Sequence, residues 1–301
     1  MICIGQVPAH RIDSFHLGTD IKVTMDIPLS IRQSKETIVC FFALPNGNST
    51  DQTMGKKMKA RDDWHFDIQH IRAQTAFIRL QLKKKNFVVI YLENDYKSWP
   101  SWKQKHADFK VRIPLIVDSL VAMINAKHKV IYLNGHSGGG SFIFGYLAGL
   151  TNIPGYVKRI SFLDSDYGYD STYYPKFKNW LSEVKDASLN VFAYNDSVAL
   201  LDGKPFVSAT GGTWWRSHYF LDHLSKDFQF EKTRDDSLIV YKSKDERIQF
   251  YFRNNPERKI YHTQQVEFNG FIHSILSGTA ADSRKYQYYH GRAYSQLITD
   301  D

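Results

Sequence analysis

Val130-Ile131-Tyr132-Leu133-Asn134-Gly135-His136-Ser137-Gly138-Gly139-Gly140 decides the fold. Its first five residues form a mostly apolar run of strand character, and Phe142, Ile143, Tyr146 and Leu147 just downstream share one helical face. Between the two, Gly135-His136-Ser137-Gly138-Gly139 fits G-x-S-x-G, the pattern of a nucleophile elbow. A strand that turns sharply into a helix holds the serine at its apex in a strained backbone conformation, and glycines flank it because a side chain there would strike the neighbouring strand or helix. The strain lifts the hydroxyl above the sheet, beside the next backbone N–H and the helix N-terminus. A structural or phosphate-cradling glycine turn is the alternative reading of the same residues.

Working outward, residues 37–44 (T-I-V-C-F-F-A-L) and 87–92 (F-V-V-I-Y-L) are nearly continuous apolar runs, the pattern of strands buried on both faces of a parallel sheet. Three more short strands are expected at 160–164, 190–194 and 248–252. Helical stripes lie between them: Ile68, Ile71, Ile78 and Leu82 within 62–82, and Ile113, Ile116, Val117, Leu120, Val121 and Ile124, with Pro114 in that helix's first turn. The alternation predicts an α/β fold with a mostly parallel central sheet flanked by helices on both faces. Residues 10–29 read as a strand with one exposed face, stopped by Pro28. Residues 93–106, with Trp99, Pro100 and Trp102, read as a loop at a strand's C-terminal end.

The 301 residues are expected to form one domain, with a cap or lid insertion around 202–245 that includes Ser208-Ala209-Thr210-Gly211-Gly212-Thr213-Trp214-Trp215. At 43% hydrophobic residues the chain can bury a sizeable core, and no apolar run is long enough to span a membrane, so a soluble protein is expected. The net charge of +8 is spread along the chain apart from Lys83-Lys84-Lys85, and no nucleic-acid motif accompanies it. The expected partner is therefore a small-molecule or glycan substrate, not nucleic acid or membrane. Cys3 and Cys40 lack metal or redox spacing. His65, Asp67 and His70 match no supported zinc spacing, so no metal is expected. Met1-Ile2-Cys3-Ile4-Gly5 lacks the basic start of a signal peptide, which makes the cytoplasm the default compartment, or the periplasm or exterior if the chain has been processed.

A serine hydroxyl needs a base to take its proton and a carboxylate to orient that base. His273, in Asn269-Gly270-Phe271-Ile272-His273-Ser274, is the first candidate base and His262 its rival; His218 and His223 come early unless they cap the pocket. For the acid, Asp196 directly follows the strand at 190–194, and Asp164 or Asp166 follows the strand at 160–164. Candidate substrate contacts are His136, the loop pair Trp99 and Trp102, and Trp214 and Trp215, because indoles stack on flat rings; packing of the 93–106 loop onto the domain is the alternative for Trp99 and Trp102.

The order of strand, Gly135-His136-Ser137-Gly138-Gly139 and helix, then Asp196, then His273, resembles the α/β-hydrolase superfamily over roughly residues 37–273. The resemblance implies attack by Ser137 on a carbonyl, with His273 as base, Asp196 as orienting acid and Asp164 as the alternative. It also implies an oxyanion hole made by the N–H of Gly138 and one from Gly47 or Asn48, and no cofactor. An esterase is the implied activity, with a carbohydrate ester preferred for the Trp-, Tyr- and Asn-rich surroundings. A peptidase or amidase of the same fold, or a non-catalytic binding protein, is the alternative.

Overall fold

The computed structural model describes residues 6–282 and 284–300; Cys3 and the stretch from Met1 to Gly5, on which the leader reading rests, lie outside them. Six parallel strands form the centre: β3 (Thr37–Ala43), β4 (Asn86–Asn94), β5 (Lys129–His136), β6 (Val157–Leu163), β7 (Ser188–Tyr194) and β12 (Ile248–Arg253). The antiparallel hairpin β1 (His10–Leu17) and β2 (Ile21–Pro28) joins at β4, and β10 (Phe230–Arg234) with β11 (Leu238–Ser243) joins at β12. The full order is β1-β2-β4-β3-β5-β6-β7-β12-β11-β10; a two-residue hairpin, β8 (Leu200–Leu201) and β9 (Lys204–Pro205), stands apart.

The apolar runs fill both faces, as their composition requires. In β3, Ile38, Cys40 and Phe42 point to the layer of α1 (Thr50–Met54), α2 (Ile71–Gln81), α8 (Gln264–Glu267) and α9 (Gly270–Leu276). Val39, Phe41 and Ala43 point to the opposite layer, built from α3 (Trp99–Lys105), α4 (Phe109–Met123), α5 (Gly140–Ala148), α6 (Tyr174–Glu183) and α7 (Thr213–Leu224). Among the described residues no helix is long and apolar enough to cross a membrane.

Several local expectations are corrected. The segment 10–29 is a hairpin, and its second strand is buried throughout its centre because Asp26 is fully covered and ion-paired with Arg79 of α2 at 2.7 Å. The helix expected over 62–82 is broken: Asp63 caps a single turn at Trp64–Asp67, and His70 takes a left-handed conformation before α2 begins. Pro114 lies inside α4, which starts five residues earlier at Phe109. Residues 93–106 are not all loop, since Ser98 caps α3 with Pro100 in its first turn. Residues 202–245 hold α7, whose Phe220, Leu221 and Leu224 are core residues, and strands β10 and β11, of which β10 is the edge of the sheet.

Candidate active site

β5 ends at His136, and the chain turns through Ser137, at φ 54°, into α5. A Cβ on Gly135 would lie 2.9 Å from the carbonyl carbon of Gly139, one on Gly139 2.1 Å from the Ala43 carbonyl oxygen, and one on Gly140 1.7 Å from that of Ser165. The turn therefore admits only glycine on its inner side. A cavity of about 410 Å³ opens above Ser137, lined by Asn46, Pro100, Gly138, Ser141, Ser165, Tyr167 and Gly168 as well.

The loop after β12 brings a histidine to this elbow. Asn255, buried, donates to the carbonyls of Asn195 and Lys259 at 2.9 and 2.7 Å and accepts from the N–H of Lys259 at 2.9 Å, fixing the bend. Tyr261 then packs on Tyr194 and Ala199, and His262 follows, half-buried, with its ring 4.6 Å from that of His136 and 6.5 Å from that of Tyr167. Its Nδ1 is hydrogen-bonded to Oδ2 of Asp164, so Nδ1 carries the proton. Asp164 is fully buried and sits at φ 47° directly after β6, its own N–H donating to the Phe192 carbonyl at 2.7 Å. Oδ1 of Asp164 accepts from the hydroxyl of Thr213, the first residue of α7.

His136, a candidate substrate contact in the sequence, turns toward this histidine. It is buried, its Nε2 lies 3.2 Å from the His262 carbonyl, to which it donates, and burial holds its pKa well below the ordinary imidazole value, with the nearby His262 charge acting in the same direction.

The expected pair His273 and Asp196 is not brought together. His273 lies in α9, a helix whose every residue is buried, with Nδ1 2.9 Å from the Tyr286 hydroxyl and the ring enclosed by Phe192, Tyr251 and Tyr288. Burial depresses its pKa to about 4 against an opposing pull from Asp282. Asp196 instead faces the N-terminus of α7, accepting from the N–H groups of Thr213 at 2.8 Å and Trp214 at 3.3 Å. Its pKa is raised to about 6 by burial and by the charge of Asp164. Asp166 accepts from the Ser217 hydroxyl at 2.8 Å, and burial raises its pKa well above the ordinary value.

The loop after β3 also differs in detail. The Gly47 N–H donates to the Lys97 carbonyl at 2.8 Å and that of Asn48 to the Pro45 carbonyl at 3.4 Å, so neither faces the serine. Asn46 does reach it: a Cβ on Gly138 would lie 1.9 Å from Asn46 Oδ1. Trp99 and Trp102 are core residues, because their indole N–H groups find internal acceptors in the Leu92 carbonyl at 3.3 Å and Asp20 Oδ2 at 2.7 Å. Trp214 packs on His218 and Phe252, and Trp215 stacks on Tyr219; both are half-buried. Of His65, Asp67 and His70, His65 bonds Asp63 at 2.5 Å, while Asp67 is shared between His70 at 2.8 Å and Arg292 at 2.6 Å.

No protein-family model matches the chain, and no curated protein matches it either. Solved structures do. A thermostable esterase superposes with a TM-score of 0.51 at 14% identity over 89% of this chain; the match spans 63% of that protein, just under two thirds of its length. A mutant of the feruloyl esterase module from Clostridium thermocellum, complexed with sinapinate, gives a TM-score of 0.50 at 12% identity over 94% of this chain and 92% of that one. With the strand order and the elbow, these likenesses establish the α/β-hydrolase fold.

Proposed function

We propose that the chain is a serine hydrolase that cleaves carboxylic esters, with Ser137 as nucleophile, His262 as general base and Asp164 as the acid that orients it. The observation that carries the proposal is the Nδ1–H of His262 directed at the buried Asp164 carboxylate, beside the serine elbow. With Nδ1 committed, Nε2 is the basic nitrogen of a half-buried ring that is not sealed from solvent. His136, neutral and fixed behind the ring, holds the His262 backbone without adding a competing charge.

In this reading Nε2 of His262 takes the Ser137 hydroxyl proton as Oγ bonds to the ester carbonyl carbon. The oxyanion is met by the N–H of Gly138 and by an N–H of Asn46, which lies in the loop after β3 and lines the cavity. Imidazolium then protonates the departing alcohol, leaving an acyl-enzyme. Water attacks the acyl carbon while Nε2 takes its proton, which returns to Ser137 Oγ as the acid leaves.

The cavity wall of Asn46, Ser141, Ser165 and Tyr167 suits a short acyl group on a polar, hydroxylated alcohol more than a long hydrocarbon chain. A carbohydrate ester stays within that class, but Trp99 and Trp102 lie in the core and offer it no stacking surface. The esterase neighbours agree with ester cleavage at the level of the fold. Labelling by a fluorophosphonate, lost in Ser137→Ala and strongly slowed in His262→Ala, is the direct test. Undiminished labelling of Ser137→Ala contradicts the proposal.

A further inference from the structure

We propose that Thr213 is a positioning residue for the acid: its buried hydroxyl holds Oδ1 of Asp164 while Oδ2 holds His262, and Asp196 fixes Thr213 in turn. This rests on the assignment of Ser137, His262 and Asp164 as the reacting set.

Asp164 is fully buried, and its side chain has two hydrogen-bond partners among the described residues, Thr213 on one oxygen and His262 on the other. A carboxylate bonded at both oxygens cannot swing about its Cβ–Cγ bond, so the imidazole it orients is held in one plane and one tautomer. Removing the Thr213 hydroxyl frees that rotation and leaves a buried oxygen without a donor.

Thr213 is itself placed by a second carboxylate. Its N–H and that of Trp214 converge on Asp196 at 2.8 and 3.3 Å, and its hydroxyl oxygen lies 3.3 Å from Asp196 Oδ2. The approach is so close that a Cβ on Gly212 would fall 2.2 Å from Asp196 Oδ2, which explains the glycine that precedes the helix. A hydroxyl has one proton to give, and here it goes to Asp164. Asp166, Tyr167 and Tyr194 face the same cluster, and burial raises the pKa of each. The residue therefore turns an α7 terminus into a clamp on the acid.

The test compares kcat, KM and the pH profile for a chromogenic acetate ester in the full chain and its variants. Thr213→Val and Thr213→Ala should lower kcat by roughly tenfold to a hundredfold, the worth of one hydrogen bond to a charged group, with KM little changed. The acid limb of kcat/KM should move to higher pH, because a carboxylate without its second donor binds the imidazolium more strongly. Thr213→Ser should restore both. A kcat unchanged in a folded Thr213→Val, a limb that does not move, or a serine variant no better than valine overturns the inference. Should the valine and alanine variants not fold, Thr213→Cys, which keeps the volume and donates weakly, must show the same loss, and an unchanged kcat there overturns it. Hydrolysis that survives Ser137→Ala overturns the reading of the site itself, independently of Thr213.

Discussion

His262 and Asp164, 98 residues apart in sequence, are joined by a hydrogen bond from Nδ1 to Oδ2 at the C-terminal edge of the sheet. β6 delivers the carboxylate and the loop after β12 delivers the imidazole, so the pair spans β7 between them. Asp196, at the end of β7, is occupied with the start of α7.

The first prediction separates the two carboxylates. Asp164→Asn should reduce kcat by about a thousandfold or more, since an amide can present its N–H to Nδ1 and favour the wrong tautomer. Asp196→Asn keeps an oxygen for the Thr213 N–H and does not touch His262, so it should cost less than about tenfold. Steady-state rates on one ester decide it, and a larger loss at Asp196 contradicts the assignment of the acid.

A second prediction concerns the elbow. In Gly139→Ala the new methyl meets the Ala43 carbonyl oxygen, which belongs to a central strand and cannot move aside. The variant should lose about 1–3 kcal/mol or more of stability, as overpacking of a rigid core does. Urea unfolding with an unchanged midpoint would show that the turn has more room than its geometry implies.

Stability should also depend on the buried Asp26 and Arg79 pair. Arg79 donates to Asp26 Oδ1 at 2.7 Å, to the Asp26 carbonyl at 2.9 Å and to the Phe87 carbonyl, tying α2 to β2 and β4. Asp26→Ala leaves the guanidinium buried without its counter-charge and should cost about 3–5 kcal/mol. Asp26→Ala with Arg79→Leu should recover part of that loss. An unfolding midpoint unaffected by Asp26→Ala contradicts a dry, tightly coupled pair.

His273 makes a pH prediction. Its folded-state pKa, depressed to about 4, lies below the ordinary imidazole value, so the unfolded chain binds more protons between the two. The stability this contributes is fully present above about pH 6.5 and is lost as pH falls from there toward 4. Thermal unfolding from pH 7 to pH 4.5 should therefore fall more steeply for the parent than for His273→Gln. Parallel curves would show that His273 does not stay neutral in the fold.

What the sequence made legible was local or repetitive. G-x-S-x-G packs its reason into five residues, and the apolar runs of β3, β4 and β5 could be buried only in a parallel sheet. The acid and base were ambiguous because Asp164 and Asp196 occupy the same local setting, a strand's C-terminal end. What separates them is α7, whose start falls on Asp196; the Gly211-Gly212-Thr213 opening of that helix, with a bare N-terminus needing an acceptor, was the available signal. His273 misled in a similar way. It follows a glycine turn, yet Phe271, Ile272, Ile275 and Leu276 around it mark a helix that disappears into the core. For Trp99 and Trp102 polar neighbours leave both stacking on a ligand and packing onto the domain open, and the tertiary partners Asp20 and Phe142 decide for packing.

The assignment of the base is the centre of the account, and one comparison tests it: initial rates of acetate-ester hydrolysis by folded His262→Ala and His273→Gln at neutral pH. His262→Ala should fall by about a thousandfold or more while His273→Gln keeps a rate within about tenfold of the parent. A rate that survives His262→Ala and collapses in His273→Gln would contradict it.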